Sequence, residues 1–188
     1  MVLNLLNRRP AAPPSTTAWT PPGTTVVQRY RGAVGAGEGA IVLVYTADGD
    51  QGSSSFAAAC LGCTYRVTRN QYDTAWLSET EAADLANTHA TTCRALDRGI
   101  PARPGDDQAA KIVRDRLWGL RPYGTTSPHY VFLRNFHEDR VALQRPADFI
   151  NATMLQLAES EPSFVTAQPH HSSGRGVQFL VQPHPPRN

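Results

Sequence analysis

A chain of 188 residues, 40% hydrophobic and with a formal charge of +2, suffices for one domain or two small ones sharing a core, and its net charge exerts little long-range pull on a charged partner. It contains no run of about 18 apolar residues, which excludes a membrane-spanning helix, and Arg8, Arg9 and Pro10 interrupt residues 1–6 before they reach signal-peptide length. The chain therefore reads as soluble and cytoplasmic, and its 15 prolines and 14 glycines indicate short elements and limited apolar burial that a metal cross-link would supplement.

In chain order, residues 1–23 hold Pro10, Pro13, Pro14, Pro21 and Pro22 among Ser and Thr, the composition of an extended or mobile arm. Strands are expected at 25–30, at 40–46 (the buried-type run Ile41-Val42-Leu43-Val44-Tyr45) and at 55–60. Ala47-Asp48-Gly49-Asp50-Gln51-Gly52 has the composition of the hairpin turn between the last two. It lacks the full spacing of a calcium loop. Residues 63–68 then read as a returning strand.

Ser78-Glu79-Thr80-Glu81 is a capping box that opens the first helix. Ala82, Leu85, Ala86, His89, Cys93 and Leu96 recur at steps of three and four, which predicts one inward face, with Gly99 and Pro101 ending the helix. A second helix is expected from Asp106 or Asp107 to Leu120, with Ala109, Ile112, Val113, Leu117 and Leu120 facing inward. Residues 130–136 read as a strand. Residues 146–159 read as a third helix with Pro146 near its first position and Ile150, Met154 and Leu157 inward. A closing hairpin pairs 164–168 with 177–182.

All three cysteines fall into one pattern, Cys60-Leu61-Gly62-Cys63 followed by His89-x3-Cys93. An odd cysteine count suits a metal site better than a disulfide framework. Zinc takes four ligands at about 2.0–2.3 Å in a tetrahedron of thiolate and imidazole. A C-x2-C knuckle places two thiolates on one tight turn, with Gly62 relieving the clash, and residues four apart on a helix share a face. Strand, knuckle, strand and helix in that order give a ββα-like zinc module. The 25 residues between Cys63 and His89 exceed the roughly 12 of two-Cys two-His fingers, so 69–77, with Tyr72 and Trp76, reads as an inserted loop. Cys60, Cys63, His89 and Cys93 are thus the expected ligands of one structural Zn2+. Four protein ligands close the site to catalysis.

Residues 56–97, carrying Cys60, Cys63, Ala83, Ala86, His89, Ala90, Cys93 and Arg94, resemble short zinc modules of small actinomycete proteins, which join a Cys-x-x-Cys hairpin to a helix reading Ala-x-x-His-Ala-x-x-Cys-Arg. The resemblance covers under a quarter of the chain. It implies zinc and a plasmid, phage or regulatory setting, and no activity. The 17 arginines against the single Lys111 are consistent with a high-GC genome.

A base-reading finger needs basic or amide residues early in its helix, whereas this helix begins with Glu79, Glu81 and Asp84, which repel phosphates. Nucleic-acid contact is expected elsewhere: at Arg8, Arg9, Arg29 and Arg31, in a stretch without acids, and at Arg103, Lys111, Arg114 and Arg121. A protein partner, met through exposed aromatics such as Tyr72, Trp76 and Trp118, is the alternative. The zinc nucleobase deaminases need a His-x-Glu upstream and a proline before the first cysteine, but no histidine precedes Cys60 and Ala59 holds the proline's place. His137-Glu138-Asp139 reads as a charged turn or as an acid–base group. His170-His171 reads as a loop or a second metal site. A hydrolase built on either pair is the third possibility. The Ser172–Gly176 stretch lacks the strand–loop–helix context of a phosphate cradle.

The expectation is an α+β protein: an arm at 1–23, a zinc-stapled ββα-like module at 24–100, and a mixed helix and hairpin region at 101–188 packing on it. Its expected role is non-enzymatic binding in DNA transactions or regulation.

Overall fold

The run Ile41–Tyr45 carries apolar side chains on both faces, so a strand made from it must be covered twice. In the computed structural model, which describes residues 15–35, 37–49, 55–70, 75–169 and 177–185, this strand is the inner β2 (Ile41–Ala47) of an antiparallel sheet. Its order is β1 (Thr24–Arg31), β2, β3 (Ala57–Cys60), β4 (Arg66–Val67). Helix α1 (Glu79–Thr92) covers one face, burying Val42, Val44, Ala58 and Cys60 with Ala82, Ala86 and Ala90. Leu43, Tyr45, Ala57 and Ala59 fill the other face with Val141, Trp19 and Val26. The strands at 25–30, 40–46 and 55–60 are all present.

The capping box at Ser78 is formed: its Oγ accepts from the Glu81 amide at 3.3 Å and the Glu81 carboxylate accepts from the Ser78 amide at 2.9 Å. Those bonds hold the Glu81 carboxyl below its ordinary range. Ser78→Ala is expected to cost about 1 kcal/mol, read as a lower urea midpoint; an unchanged midpoint would show the cap to be idle. The helix stops earlier than its periodicity predicts, at Thr92, with Cys93 as an extended C-cap (φ −67°, ψ 128°). Its buried face is Ala82, Ala83, Ala86 and Ala90, and Leu85 and Leu96 are exposed. The physical reason for the early end lies beyond the helix. The segment after Cys93 pairs with the β1–β2 connection, where Ala40 and Asp97 donate to the carbonyls of Ala95 and Glu38 at 3.0 and 2.9 Å.

The rest forms a second layer pair. Helix α2 (Asp106–Gly119), a short α3 (Arg140–Leu143) and α4 (Ala147–Ser160) accompany a three-stranded antiparallel sheet. Its order is β5 (His129–Val131), β7 (Val177–Val181), β6 (Val165–Pro169). Ala109, Val113, Leu117, Ile150 and Met154 join Val131, Phe179 and Val181 in one core. Ile112, Leu120 and Leu157 are only partly buried there. The strand expected over 130–136 ends at Val131, and residues Leu133–Asp139 form a 3-10 helix instead. The Asn135 side chain accepts from the Phe132 amide at 2.8 Å, and the Arg116 side chain donates to the Asn135 carbonyl at 2.8 Å. The first bond is local and the second tertiary, and together they compete successfully with strand pairing. The 164–168/177–182 hairpin pairs as expected, with Pro169 opposite Val177.

The two sheets meet around the turn after β2. Arg140, fully buried, donates to the Asp48 carboxylate at 3.0 Å and to its backbone carbonyl at 3.1 Å. The same carboxylate accepts from the Ala147 amide, capping the start of α4 from a distant part of the chain. Gly49 has φ +86°, and a Cβ there would lie 2.4 Å from Leu133 Cδ1. Among the residues read as arm, 15–23 lie on the first sheet's side: Thr16 donates to Asp97 at 2.6 Å and Trp19 packs beside β1 and β2. Residues 1–14 are outside the described part. No helix among the described residues is long and apolar enough to cross a membrane.

Candidate metal centre

Cys60 ends β3 and Cys63 follows on the turn into β4. The strands are held in register by Ala58 opposite Val67 and Ala59 opposite Arg66. Gly62 between the two cysteines has no positive φ. Its need is spatial: a Cβ would come within 2.4 Å of Ala40 Cβ, 2.6 Å of the Leu96 carbonyl oxygen and 2.9 Å of Ala95 Cβ. The knuckle is therefore pressed against the segment that leaves α1. His89 comes from the last turn of that helix, and Cys93, as its C-cap, turns the chain back along the sheet while its amide donates to the His89 carbonyl at 2.8 Å. Alanines on β3 and α1 keep the helix close to the strands, which brings the imidazole within reach of the knuckle.

The ligand atoms of Cys60, Cys63, His89 and Cys93 all lie within 4.8 Å of one another. Cys63 Sγ is 3.4 Å from His89 Nε2 and 4.0 Å from Cys93 Sγ. Two ligands at zinc's bond lengths and a tetrahedral angle stand about 3.5–3.8 Å apart, so the cluster has the size of a one-metal site. Its donors suit a borderline-soft cation. Gly62 and Tyr65 aim backbone amides at the sulfurs of Cys60 and Cys63, each at 3.4 Å, as expected for groups that stabilise thiolates. Without a metal, burial pushes the Cys60 thiol up to about 12 and lowers the affinity of His89 for a proton. A bound cation reverses the first effect by holding the thiolate and uses the second, since a neutral imidazole is what coordinates.

Tyr65, two residues past the knuckle, stacks on His89 with ring centroids 3.8 Å apart and 8° between planes. Its hydroxyl donates to the Leu85 carbonyl at 3.3 Å. This contact fixes the plane of the ligand ring. Sequence reasoning missed it, although an aromatic residue just after a knuckle is a usable signal.

The other predicted residues are dispersed. Arg29 donates to the Trp19 carbonyl, and Arg31 to the carbonyls of Gly37 and Gly39. Arg103 is exposed. Lys111 pairs with Asp115 and Arg114 makes two bonds to Glu161. Arg121 is buried and donates to the Gln182 and Pro183 carbonyls. Arg8, Arg9, Tyr72, His170 and His171 lie outside the described residues.

His137 is fully enclosed, its Nδ1 is 3.3 Å from Ser55 Oγ, and its carbonyl accepts from Tyr45 at 2.7 Å. Arg116 pairs with Glu138 and, at 3.6 Å, with Asp139. This triplet builds the junction between the two layers. Burial raises Asp139 to about 6 against the pull of Arg116. The folded form thus holds this proton more tightly than the unfolded chain. The group favours folding most when protonated, and stability falls as pH rises from about 4 through about 6. Asp139→Asn is accordingly expected to exceed the parent in stability at pH 7.5 by about 1–3 kcal/mol. The gap should close towards pH 4; urea titrations showing the same gap at both pH values contradict this.

Compared with protein-family models, with curated proteins and with solved structures, the chain matches none.

Proposed function

We propose that this chain is a non-enzymatic binding protein, stapled by one structural zinc ion, that serves DNA transactions or regulation by contacting nucleic-acid phosphates. The observation that carries the structural role is the complete donor set, three thiols and one imidazole converging within 4.8 Å. Four protein ligands leave zinc no position for water or substrate. In this reading the metal keeps the knuckle against α1, and recognition falls to the surface.

Phosphate contact is the work of exposed guanidinium groups. Arg29, Arg31 and Arg103 are exposed, as are Arg66, Arg94 and Arg98. Bonds to backbone carbonyls leave the charges of Arg29 and Arg31 uncancelled. Lys111 and Arg114 contribute less because carboxylates already meet them, and Arg121 is spent inside the fold. Arg8 and Arg9, outside the described residues, add two cations. Fluorescence anisotropy with labelled single- and double-stranded DNA and RNA tests the reading. Affinity should fall linearly in log–log form with salt, and Arg29→Ala with Arg31→Ala should flatten the slope by about 1–2. No salt-dependent affinity for any of these probes would end the proposal.

A protein–protein adaptor is the second reading. Trp118 and Tyr123 are exposed beside Phe164, with His184 stacked on Tyr123 at 4.0 Å. It predicts no nucleic-acid affinity and a protein partner lost on Trp118→Ala. A hydrolase centred on His137 is disfavoured because substrate cannot reach an enclosed ring.

A further inference from the structure

Tyr130 lies on β5, and Phe132 follows in extended conformation (φ −117°, ψ 155°). Alternate residues of extended chain point the same way, and both rings are open to solvent, at 49% and 44% exposure. Two residues on, the Arg134 guanidinium lies 4.5 Å from the Phe132 ring centroid and 5.4 Å from that of Trp76. Trp76 in turn carries Arg69 at 4.0 Å on the paired segment Arg69↔Trp76. The row Tyr130, Phe132, Arg134, Trp76, Arg69 thus runs from edge strand β5 to the bridged pair Arg69 and Trp76 beyond β4.

Arg134 distinguishes this row from an ordinary aromatic patch. Among the described residues it has no ion pair and no hydrogen-bond acceptor, and its Nε is buried without a partner. By contrast, Arg114, Arg116, Arg140 and Arg145 each meet a carboxylate. A partly desolvated cation with no acceptor is costly, and an anion arriving from outside removes that cost.

We infer that this row is a stacking platform for single-stranded nucleic acid, with bases on Tyr130 and Phe132 and a phosphate at Arg134. The inference rests on the nucleic-acid reading above and adds to it the strand state of the ligand and its location. Free base faces are what solvent-facing rings engage, and a duplex hides them. The unpaired guanidinium supplies the complementary charge. DNA and RNA share this chemistry, and the sugar is left to the experiment.

The test uses the zinc-loaded full chain with labelled dT12, U12 and a 12-base-pair DNA duplex. Both single strands should bind more tightly than the duplex, and the dT12/U12 ratio identifies the preferred sugar. Tyr130→Ala and Phe132→Ala should each weaken single-strand binding by about 5- to 100-fold, whereas Tyr130→Phe retains it. Arg134→Gln should reduce the salt slope by about 1. Leu155→Ala, an exposed change on α4, serves as control and leaves affinity unchanged. Unchanged circular dichroism shows that the variants fold. If the parent binds single strands and both alanine variants bind equally well, the platform is refuted while the nucleic-acid reading stands. If the parent binds none of the three probes, both fall.

Discussion

Cys93→Ser is expected to reduce bound zinc from one per chain to below about 0.1 and to unfold the first sheet together with α1. The effect is large because all four ligands converge where β3 and α1 meet through small side chains. The direct contact of β3 with α1 is made by Ala58, Ala82, Ala86 and Ala90, with Val42, Val44, Phe56 and Leu77 in the same cluster. Structural zinc contributes roughly 10–16 kcal/mol in small modules at neutral pH, comparable with the whole stability of a typical domain, about 5–15 kcal/mol. Chelation of the parent should give the same outcome, and restored zinc should reverse it. Elemental analysis by mass spectrometry with circular dichroism reads both. A parent that keeps its thermal midpoint after complete zinc removal would show that no metal staples the fold.

The second large effect is expected at Asp48. Asp48→Ala removes the Asp48 carboxylate from the fully buried Arg140 guanidinium and the cap from α4 at once. A hydrogen bond to a charged group contributes about 1.5–3 kcal/mol and a helix cap about 1 kcal/mol, and the Asp48 side chain is the half-exposed member of the pair. Arg140 retains the Arg145 carbonyl at 2.9 Å and the Asp48 carbonyl at 3.1 Å, which places the expectation near 3 kcal/mol. Arg140→Met combined with Asp48→Ala should cost less than the two single changes added, because the two side chains interact directly. Urea unfolding of the four proteins measures this. Strict additivity would mean that the pair is not coupled.

The candidate metal centre was legible because its signal is local. Cysteine spacing and a histidine one helical turn away survive whatever the rest of the chain does. The same holds for the capping box at Ser78, for α2 with Ala109, Val113 and Leu117 inward, and for the closing hairpin. Periodicity misled where tertiary bonds outweighed it. Leu85 faces solvent because the buried face of α1 is centred on Ala82, Ala83, Ala86 and Ala90, and Leu96 because the helix ends at Cys93 and the following segment pairs with the β1–β2 connection. Residues 133–136 look like strand, yet Asn135 and Arg116 wind them into a 3-10 helix. The arginines were hardest to read. Composition cannot distinguish Arg121 and Arg140, which hold carbonyls and a carboxylate inside the fold, from Arg103 at the surface.

The sequence by itself determined the α+β class, the four candidate metal ligands, and the acidic opening of α1 that argues against base reading by that helix. Each follows from short-range spacing, where helix and turn geometry fix which side chains meet. Only the tertiary structure decided that Gly62 is required by the approach of Ala40 and Leu96, and that Tyr65 lies on the ligand histidine. It likewise showed that Asp48 secures a buried arginine 92 residues away, and that Arg134 meets the distant Trp76 ring. Those partners are distant in the chain, and what joins them is packing, which no local pattern encodes.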